Sequence, residues 1–198
     1  MRIVSGVWAG KELITLQGRN VTRPTTSRLR ESIASMVKHE FDLDLARAHV
    51  LDAFAGSGAL GFELMSQGAA YLASIEKDRN AFKILQTNAQ NLGCEPNTFT
   101  ALYGDCMNHT LIERIKRPIN CVLLDPPYAY KPDEVCKLFD ALSLAHVLDL
   151  HALVVYEHEK HTTLEKSIRT HFATLELVRE KTHGITQVSL FRVSAHNL

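Results

Sequence analysis

Long apolar runs are missing from this chain. No stretch of about 18 apolar residues occurs, so no membrane-spanning helix is expected. The opening decapeptide, MRIVSGVWAG, lacks the apolar core of a secretory signal, which points to the cytoplasm. Cysteine is scarce. The four present, Cys94, Cys106, Cys121 and Cys136, show no C-x-x-C spacing, so reduced thiols are expected and a metal site is not. Net charge is absent too, with 22 basic and 22 acidic residues, and there is no repeat or low-complexity tract. What remains is an ordinary globular composition: 198 residues, 45% apolar, enough to bury one proper core.

The balanced charge is unevenly spread. Arg2, Lys11, Arg19, Arg23, Arg28 and Arg30 face a single acid, Glu12, within the first thirty positions. A basic arm on a mildly acidic body suits a polyanion, and a solvated surface segment accounts for it equally well. Arg28 and Arg30 are candidates for phosphate contact, with Glu31 or Glu40 as alternative partners for Arg30. The pattern of residues 2–16, around Gly6 and Gly10, predicts a β-hairpin anchored by Trp8. A domain division follows: an extension over 1–22 and a main domain over 23–198.

Strand and helix patterns then alternate. Helix-start chemistry at Pro24–Ser27 precedes an apolar face of Leu29, Ile33, Met36 and Val37. Strands are predicted at 50–54, 71–75, 98–103, 119–124 and 152–157. Helices are predicted at 59–67, from Asp78 to about 91, at 132–144 and near 162–171. Two β-like segments, 173–181 and 186–194, meet at Gly184 and read as antiparallel. The fold class is α/β: a mostly parallel sheet with helices on both faces.

Gly56-Ser57-Gly58-Ala59-Leu60-Gly61 has the G-x-G-x-x-G spacing of a nucleotide-binding turn, a weak signal by itself. Glu76, about twenty residues past the first glycine, ends the next strand, where a carboxylate accepts from ribose hydroxyls. These two features suit NAD and S-adenosylmethionine alike. Asp52 separates them. A pyrophosphate over the turn wants N–H donors and no carboxylate, whereas a sulfonium and an ammonium gain from one. Asp52 also has a plain alternative, as a brace for the loop or a helix cap. Asp105 ends the third strand, suited to the adenine amine or to capping the next helix.

Asp125-Pro126-Pro127-Tyr128 follows an apolar strand directly and is more specific. Two prolines stiffen the loop and remove two donors, leaving carbonyls and a carboxylate. The lone pair of an exocyclic base amine is delocalised into the ring. Acceptors on both its N–H bonds, the Asp125 carboxylate and the Pro126 carbonyl, favour the pyramidal nitrogen that can attack a methyl donor. Tyr128 would stack on the flipped base. An NAD-linked oxidoreductase is disfavoured by Asp52. A DNA adenine-N6 methyltransferase would need a target-recognition domain for which the chain has no room. An RNA-binding module without activity would not need Asp125.

Together "LDAFAGSGALGFE", "IEKD", "NAQNLG", "DPPY" and the upstream "RPTTSRLRES" resemble the RsmD-type bacterial 16S ribosomal RNA guanine-N2 methyltransferases, from "RIVSG" to "ITQVSLFRV". The resemblance implies a Rossmann-like seven-stranded fold and S-adenosylmethionine as donor. It implies the small ribosomal subunit as partner and a guanine of its RNA as acceptor; a cytoplasmic monomer is expected. By the same resemblance, Asp52, Phe54, Ala55, Gly56 and Gly58 would line the methionine side of the cofactor. Glu76 and Lys77 would meet ribose and adenine, and Asp105 and Cys106 the adenine. Asp125, Pro126, Pro127 and Tyr128 would form the base pocket, Arg23 and Thr25 would close over it, and Lys11, Arg28 and Arg30 would meet RNA. The chain departs from the family pattern at Ala9 and Glu12, where basic residues are usual, and at His183, where tyrosine precedes the glycine. His158 and His161, near Glu157 and Glu159, are expected on a solvated surface.

Overall fold

A computed structural model describes residues 1–16, 26–127, 130–160 and 175–193. Its centre is a seven-stranded sheet in the order β3-β2-β1-β4-β5-β7-β6. The strands are β1 (His49–Asp52), β2 (Tyr71–Glu76), β3 (Phe99–Tyr103), β4 (Ile119–Leu124), β5 (Leu148–Glu159), β6 (Leu175–His183) and β7 (Thr186–Val193). The first five run parallel, and β7 runs antiparallel to both β5 and β6. The helices are α1 (Ser27–Glu40), α2 (Ala59–Ser66), α3 (Arg79–Leu92), α4 (His109–Ile112) and α5 (Pro132–Leu144).

Local chemistry explains the boundaries. Thr26 caps α1 by accepting from the Leu29 N–H, and Asp78 caps α3 by accepting from the Asn80 and Ala81 N–H groups. Gly93 ends α3 at φ +77°. The parallel strands β1 and β4 are covered on both faces and are almost wholly buried, as β-rich apolar runs require. Val122, Val154 and Phe191 look toward α4 and α5, while Val50, Leu123 and Val155 look toward α1, α2 and α3. The result is three layers with a core on each side of the sheet.

Several expectations change. The N-terminal hairpin is not a ladder: one antiparallel bridge, Arg2 to Glu12, joins its arms. Ile3 and Leu13 turn into the core, and the Val4 and Ser5 N–H groups donate to the buried carboxylate of Glu63 on α2 rather than to a partner strand. A Cβ on Gly6, at φ +85°, would lie 1.8 Å from the Ser66 carbonyl oxygen, so only glycine admits this close docking. Trp8 packs with that cluster. Strand β5 is twice as long as expected because its early residues pair past an irregularity, Ile119 beside Leu148. The short α4 follows an Asn108 cap that the sequence reading passed over. The expected helix at 162–171 lies outside the described residues. Among the described residues no helix is long and apolar enough to cross a membrane.

Candidate active site

The sheet order reverses direction at β1, with β2 on one side and β4 on the other. Crevices at such switch points, beyond the carboxyl ends of the strands, are where open α/β sheets bind ligands. Asp52 ends β1, Glu76 ends β2, and Asp125 follows β4 directly. Three carboxylates therefore converge there.

Asp52 is 3% exposed. Its carboxyl is pushed up to about 7, first by burial and then by the charges of Asp125 and Glu76. The N–H groups of Gly61 and Phe54, which donate to it, work the other way. The loop-bracing role is thus real, and a strongly negative site results as well. A cation arriving there relieves the repulsion among the acids and favours the ionised form of Asp52.

The glycine turn spends its donors internally. Gly56 N–H donates to Glu76 Oε2 at 2.7 Å, and Gly58 N–H to the Ala55 carbonyl at 2.7 Å. Ala55 N–H donates to the Ile75 carbonyl, and Gly61 N–H goes to Asp52. A pyrophosphate would meet few open N–H groups and two carboxylates, which argues against a dinucleotide on the turn's own geometry. Gly58 sits at φ +83°, and a Cβ there would strike Phe62 and Leu85 at 2.4 and 2.6 Å. Glu76 accepts through its other oxygen from the Asp78 N–H at 2.7 Å. Each oxygen keeps a lone pair for a hydroxyl.

Beside this, Asp105 accepts from the Met107 N–H at 3.0 Å, so it braces the turn after β3. Cys106 is buried, and its thiol is pushed up to about 12 by burial and by Asp105. On the other flank, Pro126 is buried and Asp125 and Pro127 are half-buried at the mouth. Tyr128 lies outside the described residues, as do Arg23 and Thr25.

Two residues that the sequence reading missed tie these parts together. Tyr130 meets Phe54 edge to face at 5.4 Å and accepts a hydrogen bond from Lys77 Nζ, which also lies over its ring. The loops after β1, β2 and β4 are joined through it. The signal was present, since the same "DPPYAY" run ends on Tyr130. Asn88, fully buried on α3, donates to the Ser57 carbonyl in the glycine turn and to the Ile14 carbonyl, both at 2.9 Å. Its oxygen accepts from the Ile14 N–H at 2.8 Å. The signal here was the "NAQNLG" run, which opens on Asn88.

Two expectations need correction. Arg30 is fully buried, with Nη2 donating to the Arg2 carbonyl at 2.9 Å and Nη1 on the Met1 sulfur; it faces neither RNA nor Glu40, which takes Arg192 instead. Lys11 is exposed, beside Cys94 and the Trp8 loop. His158 is buried rather than solvated, held by the Glu159 carbonyl and by Ser189 Oγ at 2.9 Å each. Arg28 is exposed at the start of α1. His161 lies outside the described residues.

Sheet order, switch-point crevice and acidic strand ends together define an α/β Rossmann-like methyltransferase fold. Magnesium protoporphyrin IX methyltransferase from Synechocystis, solved with bound SAM, shares that fold at TM-score 0.64 and 18% identity over 85% of this chain and 79% of its own. The solved structure of yhhF from Escherichia coli superposes with TM-score 0.77 at 28% identity, covering 99% of each chain. Ribosomal RNA small subunit methyltransferase D of Escherichia coli K12 is 30% identical over 98% of this chain and 91% of its own length. The family described as Conserved hypothetical protein 95 matches residues 1–192, and this chain belongs to that family, the RsmD-type one.

Proposed function

We propose that this chain is an S-adenosylmethionine-dependent methyltransferase that modifies the exocyclic N2 of a guanine in 16S ribosomal RNA of the small subunit. One observation carries the reading: Asp52, its carboxyl pushed up to about 7 by burial and then by its carboxylate neighbours, lies at the same strand edge as the proline-stiffened acceptor loop Asp125–Pro127. One side of the crevice is suited to a cation and the other to a flat amine. The name of the Escherichia coli relative, a small-subunit RNA methyltransferase, supports the acceptor.

The cofactor, when bound, supplies an electrophilic methyl group on a positively charged sulfur. Asp52 would offset positive charge on the methionine side, Glu76 would accept from ribose hydroxyls, and Asp105 and Cys106 would flank the adenine. Asp125 and the Pro126 carbonyl accept the two N–H bonds of the guanine amine, and Tyr128 stacks on the base. Held this way, the guanine nitrogen would present its lone pair to the methyl group that the bound cofactor would supply. The alkylated nitrogen then carries one proton too many, and Asp125 is the base within reach. Alignment of the partners and exclusion of water supply the remaining acceleration.

The test uses small subunits from cells lacking this protein, incubated with the full chain and methyl-labelled donor. Digestion to nucleosides should place the label in N2-methylguanosine at one position. Label in duplex DNA adenine instead, or no label at all, overturns the reading.

A further inference from the structure

Strand β6 runs parallel to β5, because each is antiparallel to β7. Its carboxyl end therefore lies on the same edge of the sheet as Asp52 and Asp125. Arg179 and His183 both reach α1: Arg179 lies 4.0 Å from Glu40, and His183 Nε2 meets Ser32 Oγ at 3.1 Å. Lys181, between them at the two-residue period, shares that face. Arg28 stands one helical turn before Ser32, on the same side of α1 and nearer the crevice edge.

Arg179 is matched by Glu40. Among the described residues neither Lys181 nor Arg28 has a carboxylate within ion-pair distance. The imidazole of His183 records the local field. It is held below its ordinary value by burial and then by the positive charges of Lys181 and Arg28. The hydrogen bond to Ser32 fixes the β6–β7 turn against the helix, so the cations are held in place rather than strewn over a loose surface. On the crevice side the strip has a boundary. Glu157 and Glu159 stand in the same cross-strand rows as Lys181 and His183, two strands inward, about 10 Å away.

We propose that Lys181, His183 and Arg28 form a docking strip for the ribose-phosphate backbone of the substrate RNA, beside the crevice. The proposal rests on the RNA methyltransferase reading above and deepens it. Strand β6 is three strands from β4, about 14 Å. The strip therefore contacts phosphates of nucleotides flanking the target, not the target itself.

The experiment measures binding of the full chain to unmethylated small subunits over a range of salt concentrations. R28E/K181E should bind about tenfold more weakly or worse at ~0.1 M salt, with a log–log salt slope shallower by roughly one to two. R28Q/K181Q should move both quantities in the same direction by less, and R28K/K181R should restore them. Lys83→Glu, exposed on α3, serves as the control and should match the parent. Ultraviolet cross-linking should attach RNA to the peptide containing Lys181. The strip is overturned if R28E/K181E binds with unchanged affinity and slope to subunits that the parent chain methylates, or if that peptide cross-links to a ribosomal protein. If the parent transfers no methyl group to those subunits, the underlying reading fails and the strip with it.

Discussion

The two flanks of the crevice are built by different means. On the flank of β1, β2 and the glycine turn, single side chains clasp backbone: Glu76 takes two N–H groups, Asp52 takes two, and Asn88 bonds backbone three times. On the flank of β5, β7 and β6, side chains clasp side chains: Arg192 to Glu40, His183 to Ser32, and Ser189 between His158 and Glu180. A backbone clasp tolerates little change, because the geometry it holds is the binding surface itself. A side-chain clasp holds one element on another and leaves the facing residues open to vary. The first flank suits an invariant cofactor, and the second suits a large, particular substrate.

If the flanks act separately, changes should separate as well. Asp125→Ala removes the amine acceptor and the base. Methyl transfer should fall about 10²–10⁴-fold while calorimetric cofactor affinity stays within a few fold. A comparable loss of both would mean that the flanks are one unit. Asn88→Ala attacks the other flank. Losing three hydrogen bonds should cost about 2–4 kcal/mol in a denaturant titration, and cofactor affinity should fall about tenfold as the turn loosens. Lowered stability with unchanged affinity would make Asn88 a brace only.

Acidity tests the coupling between flanks. The folded-state value of Asp52 lies above its unfolded one, so without cofactor the fold is favoured by the protonated form. Its contribution to stability is full below about pH 4 and is lost as pH rises through about 7. Cofactor affinity should run the opposite way, rising about tenfold from pH 6 to 8 with proton release on binding, since a cation prefers the carboxylate. Asp52→Asn should flatten both profiles. The smallest effect is expected from Tyr130→Phe, which removes the bond from Lys77 but keeps the ring on Phe54. Turnover should change by less than about threefold, because the ammonium lies largely in water.

The parallel core was readable because each βα unit announces itself locally: an apolar strand, a glycine or aspartate at the turn, an amphipathic helix. Asp78 and Gly93 bracket α3 as their chemistry dictates. The acids at the strand ends were readable for the same reason. Arg30 was misread because helical charge normally means solvent, and only the return of the N-terminal segment over α1 buries it. Asn88, Glu63 and His158 share that origin, since each meets partners 31 to 74 positions away. Tyr130 needed the neighbouring loops in place before its role could be seen.

The bond from Arg192 to Glu40 closes a separation of 152 positions. On a ribosome adding about 5–20 residues per second, α1 waits roughly 8–30 s for the strands that cover it. The cofactor-side half of the sheet can assemble in the meantime. The rim that the RNA is proposed to follow is completed last, so a chain interrupted before β7 would be left with its glycine turn in place and its first helix uncovered.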